Sequence, residues 1–185
     1  MQFSNVLITS ILAVAAAALP ASNVARDTAT TTSTSTSASS TSSSSGSVQI
    51  VNNLDTDVYL WSTSLDSGSM QTLNSGGGTY SEHWQINPDG GGISIKMSTS
   101  TNEDSVLQFE YTENGETLYW DLSSINLDSD SEFVTQGFSV TPSDSSCSSA
   151  TCAAGDVDCA ASYQHPDDTA TNSCSTSAQY VLTLG

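Results

Sequence analysis

Apolar and polar residues alternate in several short segments of the chain. SVQIVNN (from Ser47), DVYLW (from Asp57) and ISIKMS (from Ile93) show the pattern clearly, and TYSEHWQI shows it more weakly. A period of two is typical of β-strands with one buried face. In ISIKMS it puts Lys96 on the face away from the core. Regular strands, Gly- and Asn-rich turns and no helical periodicity beyond the N-terminus predict an all-β, antiparallel sandwich.

The segment VLQFEYTENGETLYWDL predicts a hairpin, because Asn-Gly is the preferred two-residue type I′ turn. With Asn114 and Gly115 as the turn, the pairs across the hairpin are Thr112 with Thr117, Glu110 with Tyr119, and Gln108 with Asp121. The polar members of these pairs then share the non-core face with Tyr119. If the strand from Ile93 pairs alongside, Lys96 joins them.

The N-terminal region predicts export followed by a linker. An apolar stretch too short for a membrane span lies within residues 1–21, and small residues follow it, as in a signal peptide cleaved near Ala18 or Ala21. Residues 22–47 form a Ser/Thr-rich linker that has almost nothing to bury, so we expect it to be disordered. One β-sandwich domain is expected over residues 48–185.

Charge narrows the range of partners. The chain has a formal net charge of −18 with two basic residues, Arg26 and Lys96. Asp27 is the only acidic residue before residue 48, so nineteen of the twenty carboxylates fall in the predicted domain with one lysine. This balance argues against nucleic acids and anionic membranes. It is compatible with neutral polysaccharide or cationic partners.

Four cysteines, all in the last quarter of the chain, indicate two disulfides in an exported protein. Their spacing alone leaves three pairings open. The absence of a CxxC pair disfavours zinc. The spacing of the acidic residues Asp128, Asp130 and Glu132 could indicate a calcium site, but a solvated acidic loop is the simpler interpretation. We therefore expect no metal and no cofactor.

Several segments together carry a family resemblance. VQIVNNLDTDVYLW, GGGISIK, LQFEYTENGETLYWDL, GFSVTPSDSSC and CAASYQHPDDTATNSC, in this order, resemble the thaumatin-like superfamily. The short fungal branch, the antigenic thaumatin-like or Bys-type secreted proteins, is the more similar one. Plant-type members have a disulfide-rich second domain where this chain has only AAGDVD, between Cys152 and Cys159, so that domain is expected to be absent.

The resemblance implies a disulfide map and a cleft. Family pairing, carried onto matching positions, gives Cys147–Cys174 and Cys152–Cys159. Many members have an acidic cleft of one Arg, one Glu and three Asp linked to β-1,3-glucan. Its counterparts here are Lys96, Gln108 with Glu110 two residues on, Asp121, Gln136, and Asp167 or Asp168. Lys in place of Arg, and Gln at two acidic positions, depart from that pattern.

These departures favour binding over catalysis. Glycoside hydrolysis needs a protonated acid and a second carboxylate, and an amide at Gln108 cannot donate the proton. We expect a secreted, monomeric fungal protein at the cell wall or spore surface, binding β-glucan, another wall polysaccharide or a host surface protein. A weak endo-β-1,3-glucanase and a structural wall glycoprotein are the alternatives. Trp84 is the expected residue for sugar stacking.

The Ser/Thr-rich segment leads to a first test. If residues 28–45 carry O-linked sugars, as their composition allows in a secreted chain, the protein should migrate well above its polypeptide mass and collapse to one sharp band after O-deglycosylation. A mature chain whose mass equals that of its polypeptide, measured by mass spectrometry, would leave a bare flexible linker.

Overall fold

Eleven strands and one short helix make up the part of the chain that the computed structural model describes, residues 46–64 and 66–185. The predicted signal peptide and all but the last two residues of the predicted linker lie outside it. The elements are β1 Ser47–Asn52, β2 Val58–Thr63, β3 Gln71–Leu73, β4 Gly78–His83, β5 Ile93–Ser98, β6 Leu107–Asn114, β7 Thr117–Ser123, α1 Glu132–Gln136, β8 Phe138–Pro142, β9 Ala150–Cys152, β10 Asn172–Ser175 and β11 Gln179–Leu184.

The strands form two sheets that pack face to face. The five-stranded sheet has the order β4-β1-β11-β8-β9, and the six-stranded sheet has the order β10-β7-β6-β5-β2-β3. All neighbouring strands are antiparallel except β1 and β11, which run parallel. The last strand therefore lies at the centre of its sheet, between the first strand and β8. The all-β sandwich predicted from the alternation is confirmed.

The core lies between the sheets and is rich in aromatic side chains. Trp120 stacks on Phe109 within the six-stranded sheet, with ring centroids 5.8 Å apart, and approaches Tyr180 of the five-stranded sheet at 5.2 Å. All three are at most 1% exposed. Aromatic pairs of this kind contribute about 0.5–1.5 kcal/mol each beyond the area that they bury. Strands β5, β6 and β7 consequently bury one face, and their polar residues lie on the other face.

The β6–β7 hairpin differs from its predicted register by one position on each strand. Asn114 pairs with Thr117, so Gly115 and Glu116 form the two-residue loop instead of Asn114 and Gly115. Gly115 has φ of 64°, and Glu116 is not among the described residues with positive φ, as in a type II′ turn with Gly at its first central position. The type I′ turn was therefore wrong: Glu110 lies opposite Asp121.

Other pairs shift with the loop. Gln108 lies opposite Ser123, and Tyr119 lies opposite Thr112. Because the combined shift is two residues, each side chain stays on its predicted face of the sheet. The grouping of polar residues on one face survives, and only their partners change.

One short helix was not predicted. Helix α1 has five residues, too few to produce a helical period in the sequence. Ser131 caps it, accepting a hydrogen bond from the Phe133 amide on its side-chain oxygen at 3.3 Å. Phe133 and Val134 are buried, so the helix closes one end of the core.

Two disulfides join Cys147 to Cys174 and Cys152 to Cys159, the pairings that the resemblance implies. The first connects the loop after β8 to β10, and so links the five-stranded sheet region to the edge of the six-stranded sheet. The second closes a short loop after β9. No free cysteine remains in the described part of the chain.

The two disulfides should contribute unequally to stability. They span 27 and 7 residues. In the chain-entropy model the longer loop stabilises by about 3.5 kcal/mol and the shorter by about 2.4 kcal/mol. We predict that the Cys147→Ala, Cys174→Ala double variant has a lower urea midpoint than the Cys152→Ala, Cys159→Ala variant. The opposite order of midpoints would contradict this ranking of the two disulfides.

Candidate functional site

A shallow groove of about 370 Å³ crosses the outer face of the six-stranded sheet. Its centre is a row of polar side chains from adjacent strands, because Thr63, Ser94, Glu110 and Asp121 pair in succession across β2, β5, β6 and β7. Thr171, just before β10, extends the row. Gly92 also lines the groove, and a Cβ there would stand 2.9 Å from the Thr112 hydroxyl oxygen.

Glu110 and Asp121 form a directly opposed carboxylate pair. Their Cβ atoms are expected about 4.5–5.5 Å apart in such a cross-strand pair. Burial, followed by the charge of Glu110, raises the pKa of Asp121 from 3.8 to about 7. Burial also raises the pKa of Glu110, while Ser94 and the charge of Lys96 act in the opposite direction. The pair therefore holds a proton under mildly acidic conditions.

Lys96 lies one row away from this pair on β5. Its Nζ donates to Glu103 Oε2 at 2.8 Å, and both side chains are less than one-third exposed. It lies opposite Gln108 on one side and Trp61 on the other, and does not line the groove. Its charge still favours the ionised form of Glu110. Lys96 thus acts on the groove at a distance, while its ion pair is with Glu103.

Gln108, on β6, bonds to side chains of both neighbouring strands. Ser94 Oγ donates to its Oε1 at 3.1 Å, and its Nε2 donates to Ser123 Oγ at 3.5 Å. The side chain is buried. This amide holds β5, β6 and β7 together beside the groove and offers no proton for chemistry.

The structure does not bring Asp167 and Asp168 into the groove. Asp168 lines a separate depression beside Cys159, and its Oδ2 accepts hydrogen bonds from the backbone amides of Gln164 and His165 at 2.7 and 2.8 Å. These amide bonds, that of His165 first, lower the pKa of Asp168. Asp167 is exposed on the same loop and lines neither depression.

Tyr119 is the exposed aromatic side chain of the groove. It is 43% exposed and lies on the same face as Asp121, two residues along β7. Trp84, the residue expected from the sequence, instead packs against Tyr111 at 4.9 Å and Tyr180 at 5.9 Å, and donates to the Thr176 carbonyl. The alternation in TLYWDL already put Tyr119 on the outer face, so the sequence did hold a signal for it.

Metal-ligating side chains are not clustered in the described residues, which contain no group of three or more His, Cys, Asp or Glu that could hold a metal ion. In the acidic segment that suggested calcium, Glu132 instead accepts a hydrogen bond from Thr56. No helix in this part of the chain is long and apolar enough to cross a membrane.

The fold and the groove together define the thaumatin-like class, and comparison with known proteins supports this. The protein elicitor MoHrip2 from Magnaporthe oryzae has the same fold, with a TM-score of 0.62 and 24% identity over 75% of this chain and 98% of MoHrip2. The family model described as Blastomyces yeast-phase-specific protein, Bys1, matches residues 35–185. The chain belongs to this short fungal thaumatin-like family.

Two fungal relatives are similar in sequence. The secreted thaumatin-like protein calA of Emericella nidulans is 55% identical over 140 residues, covering 76% of this chain and 81% of calA. The antigenic thaumatin-like protein of Arthroderma benhamiae is 39% identical over 130 residues, covering 70% of this chain and 65% of that protein. The chain is accordingly a secreted protein.

The raised pKa of Asp121 has a consequence for stability. Between about pH 4 and pH 7 the folded protein keeps a proton that the unfolded chain has released. Folded protein then binds more protons, so the free energy of unfolding falls as pH rises through this window. After allowance for solvent screening, we expect a loss of about 1–2 kcal/mol.

Thermal melts measured from about pH 4 to pH 7 test this expectation. Asp121→Asn should remove most of the pH-dependent loss, because Asn does not titrate. Asp130→Asn, at an exposed loop position, should keep the slope of the wild type. Equal slopes for all three proteins would show that Asp121 titrates normally.

Proposed function

We propose that the protein is a wall-associated, non-catalytic polysaccharide-binding protein, and that the groove of the six-stranded sheet binds neutral β-glucan. The observation that carries this proposal is the combination of one exposed aromatic ring, Tyr119, with a row of hydroxyl and carboxyl groups across the sheet. An aromatic face beside polar groups is suited to a sugar ring, which has apolar C–H faces and hydroxyl edges.

The carboxylate pair suits a neutral ligand. With the pKa of Asp121 near 7, the carboxyl is protonated under mildly acidic conditions and both donates and accepts hydrogen bonds. Glu110 beside it is an acceptor when ionised. Sugar hydroxyls are themselves donors and acceptors, so the pair matches them without needing a cation. The family's association with β-1,3-glucan gives the same ligand class.

A second candidate, weak endo-β-1,3-glucanase activity, is favoured by the corrected register. Glu110 and Asp121 are direct neighbours rather than the diagonal pair that the predicted turn implied. Direct opposition brings two carboxyl groups closer than a diagonal placement does, and retaining glycosidases need the shorter carboxyl spacing. In such a reaction Asp121 would be the group able to donate a proton.

Binding to a host surface is a different use of the same secreted fold. The Arthroderma benhamiae relative is named antigenic, and that word does not name a ligand of the relative. A structural role in the wall, through sugars on the N-terminal linker, also remains a proposal. The groove favours polysaccharide because its size, about 370 Å³, suits one or two sugar units rather than a protein surface.

Titration of laminarin-type oligosaccharides against the secreted protein tests the proposal. Tyr119→Ala should weaken binding roughly tenfold through loss of stacking, whereas Tyr119→Phe should keep most of it. Tyr59→Ala is the matched control, because Tyr59 is a partly exposed tyrosine on β2 that does not line the groove. Lys96→Glu should weaken binding more than Lys96→Ala, because its negative charge disfavours the ionised, accepting form of Glu110, which Lys96 favours.

Two outcomes would contradict this assignment. Equal binding by wild type and Tyr119→Ala, or no binding by wild type, would remove the groove as a glucan site. Reducing-sugar release above a blank without protein, lost in both Glu110→Gln and Asp121→Asn, would replace the binding function with catalysis.

A further inference from the structure

A carboxylate, that of Glu82, is buried at the edge of the sandwich away from the groove. It lies on β4 and is 7% exposed. Tyr80 donates its hydroxyl to Oε2 at 2.7 Å, and Tyr111 of the opposite sheet donates to Oε1 at 2.5 Å. Burial, followed by the hydrogen bond to Glu82, raises the pKa of both tyrosines, so both hydroxyls remain protonated donors.

Glu82 has no cationic partner among the described residues. The salt bridge found there joins Lys96 to Glu103. His83, its neighbour, is exposed, and alternation along β4 directs it to the other face. A carboxylate has about four acceptor sites, of which the two tyrosines fill two. A buried charge without a counter-charge is costly, and tyrosine hydroxyls offset only part of that cost.

Glu82 lines a second pocket of about 370 Å³, open at the surface between β3 and β4. Ser64 lines both this pocket and the groove, so the two lie on either side of the end of β2. The pocket is also lined by the ring of Tyr80 and by one exposed carboxylate, Asp66. Its neutral polar side chains include Ser62, Ser69, Gln71 and Gln85. The pocket thus offers acceptors around a buried negative charge.

We propose that this pocket binds the ammonium group of a glucosamine unit in a cationic polysaccharide, with Glu82 as its counter-ion. An ammonium brings three N–H donors, which match the free acceptor sites of Glu82 and the surrounding hydroxyl and amide oxygens. Tyr80 is half-buried and adds an aromatic ring to the pocket lining, and such a ring attracts a cation to its face.

The chemistry of the lining favours an ammonium over a metal ion. Calcium takes six to eight oxygen ligands, and structural sites use several carboxylates. The described residues have no cluster of three metal-ligating side chains. Each oxygen of Glu82 accepts one tyrosine hydroxyl, so about one acceptor site remains on each oxygen. These remaining sites suit the N–H donors of an ammonium group.

The overall charge favours a polymeric cation. With a formal net charge of −18, the protein attracts a polycation over distances of about a Debye length, and the pocket then selects one ammonium. This attraction is not specific to one site. The specificity must come from the buried carboxylate, and the experiment has to separate the two contributions.

The probe is a β-1,4-linked glucosamine hexamer, with the fully N-acetylated hexamer as its neutral counterpart. Binding to the secreted full-length protein is measured by calorimetry at physiological salt, at a pH where the amines are protonated. Wild type should bind the glucosamine hexamer and not the acetylated one. Glu82→Gln should lose about 10- to 100-fold in affinity, as expected for a charge-assisted contact.

Glu116→Gln is the matched control. It makes the same chemical change and the same change in net charge on the exposed hairpin loop, and should bind within about twofold of wild type. Equal losses in the two variants would show that only the overall charge matters and would overturn the site. Tighter, Glu82-dependent binding of hexalysine would overturn its assignment to a sugar.

A second pair of variants keeps the test decisive if Glu82→Gln fails to fold. Gln71 is exposed and lines the pocket, so Gln71→Lys should place its own ammonium near Glu82, raise the melting temperature and reduce glucosamine binding about tenfold or more. Gln49→Lys, exposed on β1, adds the same charge away from the pocket and should do neither. Similar behaviour of the two lysine variants would overturn the proposal.

This outcome is independent of the glucan groove. Binding of neutral laminarin-type oligosaccharides should be unchanged in Gln71→Lys, because Gln71 does not line the groove, whereas Glu82 contacts Tyr111, which does. Loss of glucosamine binding with retained glucan binding supports both sites. Absence of glucan binding with retained, Glu82-dependent glucosamine binding would remove the groove alone.

Discussion

The contact of Trp120 with Phe109 in its own sheet and Tyr180 in the other is the interaction on which the rest of the structure depends. It joins the β6–β7 hairpin to the last strand, β11, and all three rings are fully buried. Because strand side chains alternate, anchoring these rings inward directs Glu110 and Asp121 outward on the same two strands. The core and the groove are thus two faces of one hairpin.

The same alternation explains why the two carboxyl sites differ. Glu110 and Asp121 lie on the solvent side of a sheet, half-buried by their neighbours, where burial raises the pKa of both and the charge of Glu110 raises that of Asp121 further. Glu82 lies on the inward side of an edge strand, where two tyrosine hydroxyls donate to it. The outward pair belongs to a polar surface, and the inward carboxylate is a single, localised acceptor.

The single lysine of the predicted domain is best understood in this electrostatic setting. Lys96 forms an ion pair with Glu103 from the loop that follows its own strand, and it favours the ionised form of Glu110 through space. The lysine thus keeps a positive charge close to the carboxylates. Gln108, on the neighbouring strand, is an amide that bonds to Ser94 and Ser123 and supplies no proton.

The amino-acid sequence by itself determined the fold class and the composition of each face. Period-two alternation depends on local sterics, so the outward placement of Lys96, Glu110, Tyr119 and Asp121 could be read directly. The sequence resemblance implied both disulfide pairs, which spacing alone left open.

Only the tertiary structure decided which strands pair and which residues lie opposite each other. Gly115 can serve in either of two hairpin loops, and pairing with β5 and β10 selects the one that opposes Glu110 to Asp121. The parallel pairing of β1 with β11 joins residues more than 130 positions apart, which no local pattern encodes. The pocket around Glu82 likewise combines β4 of the five-stranded sheet with β2 and β3 of the six-stranded sheet, and Tyr111 on β6 of that second sheet donates to the carboxylate. Contacts between distant segments depend on packing, and packing is settled only when the whole chain is folded.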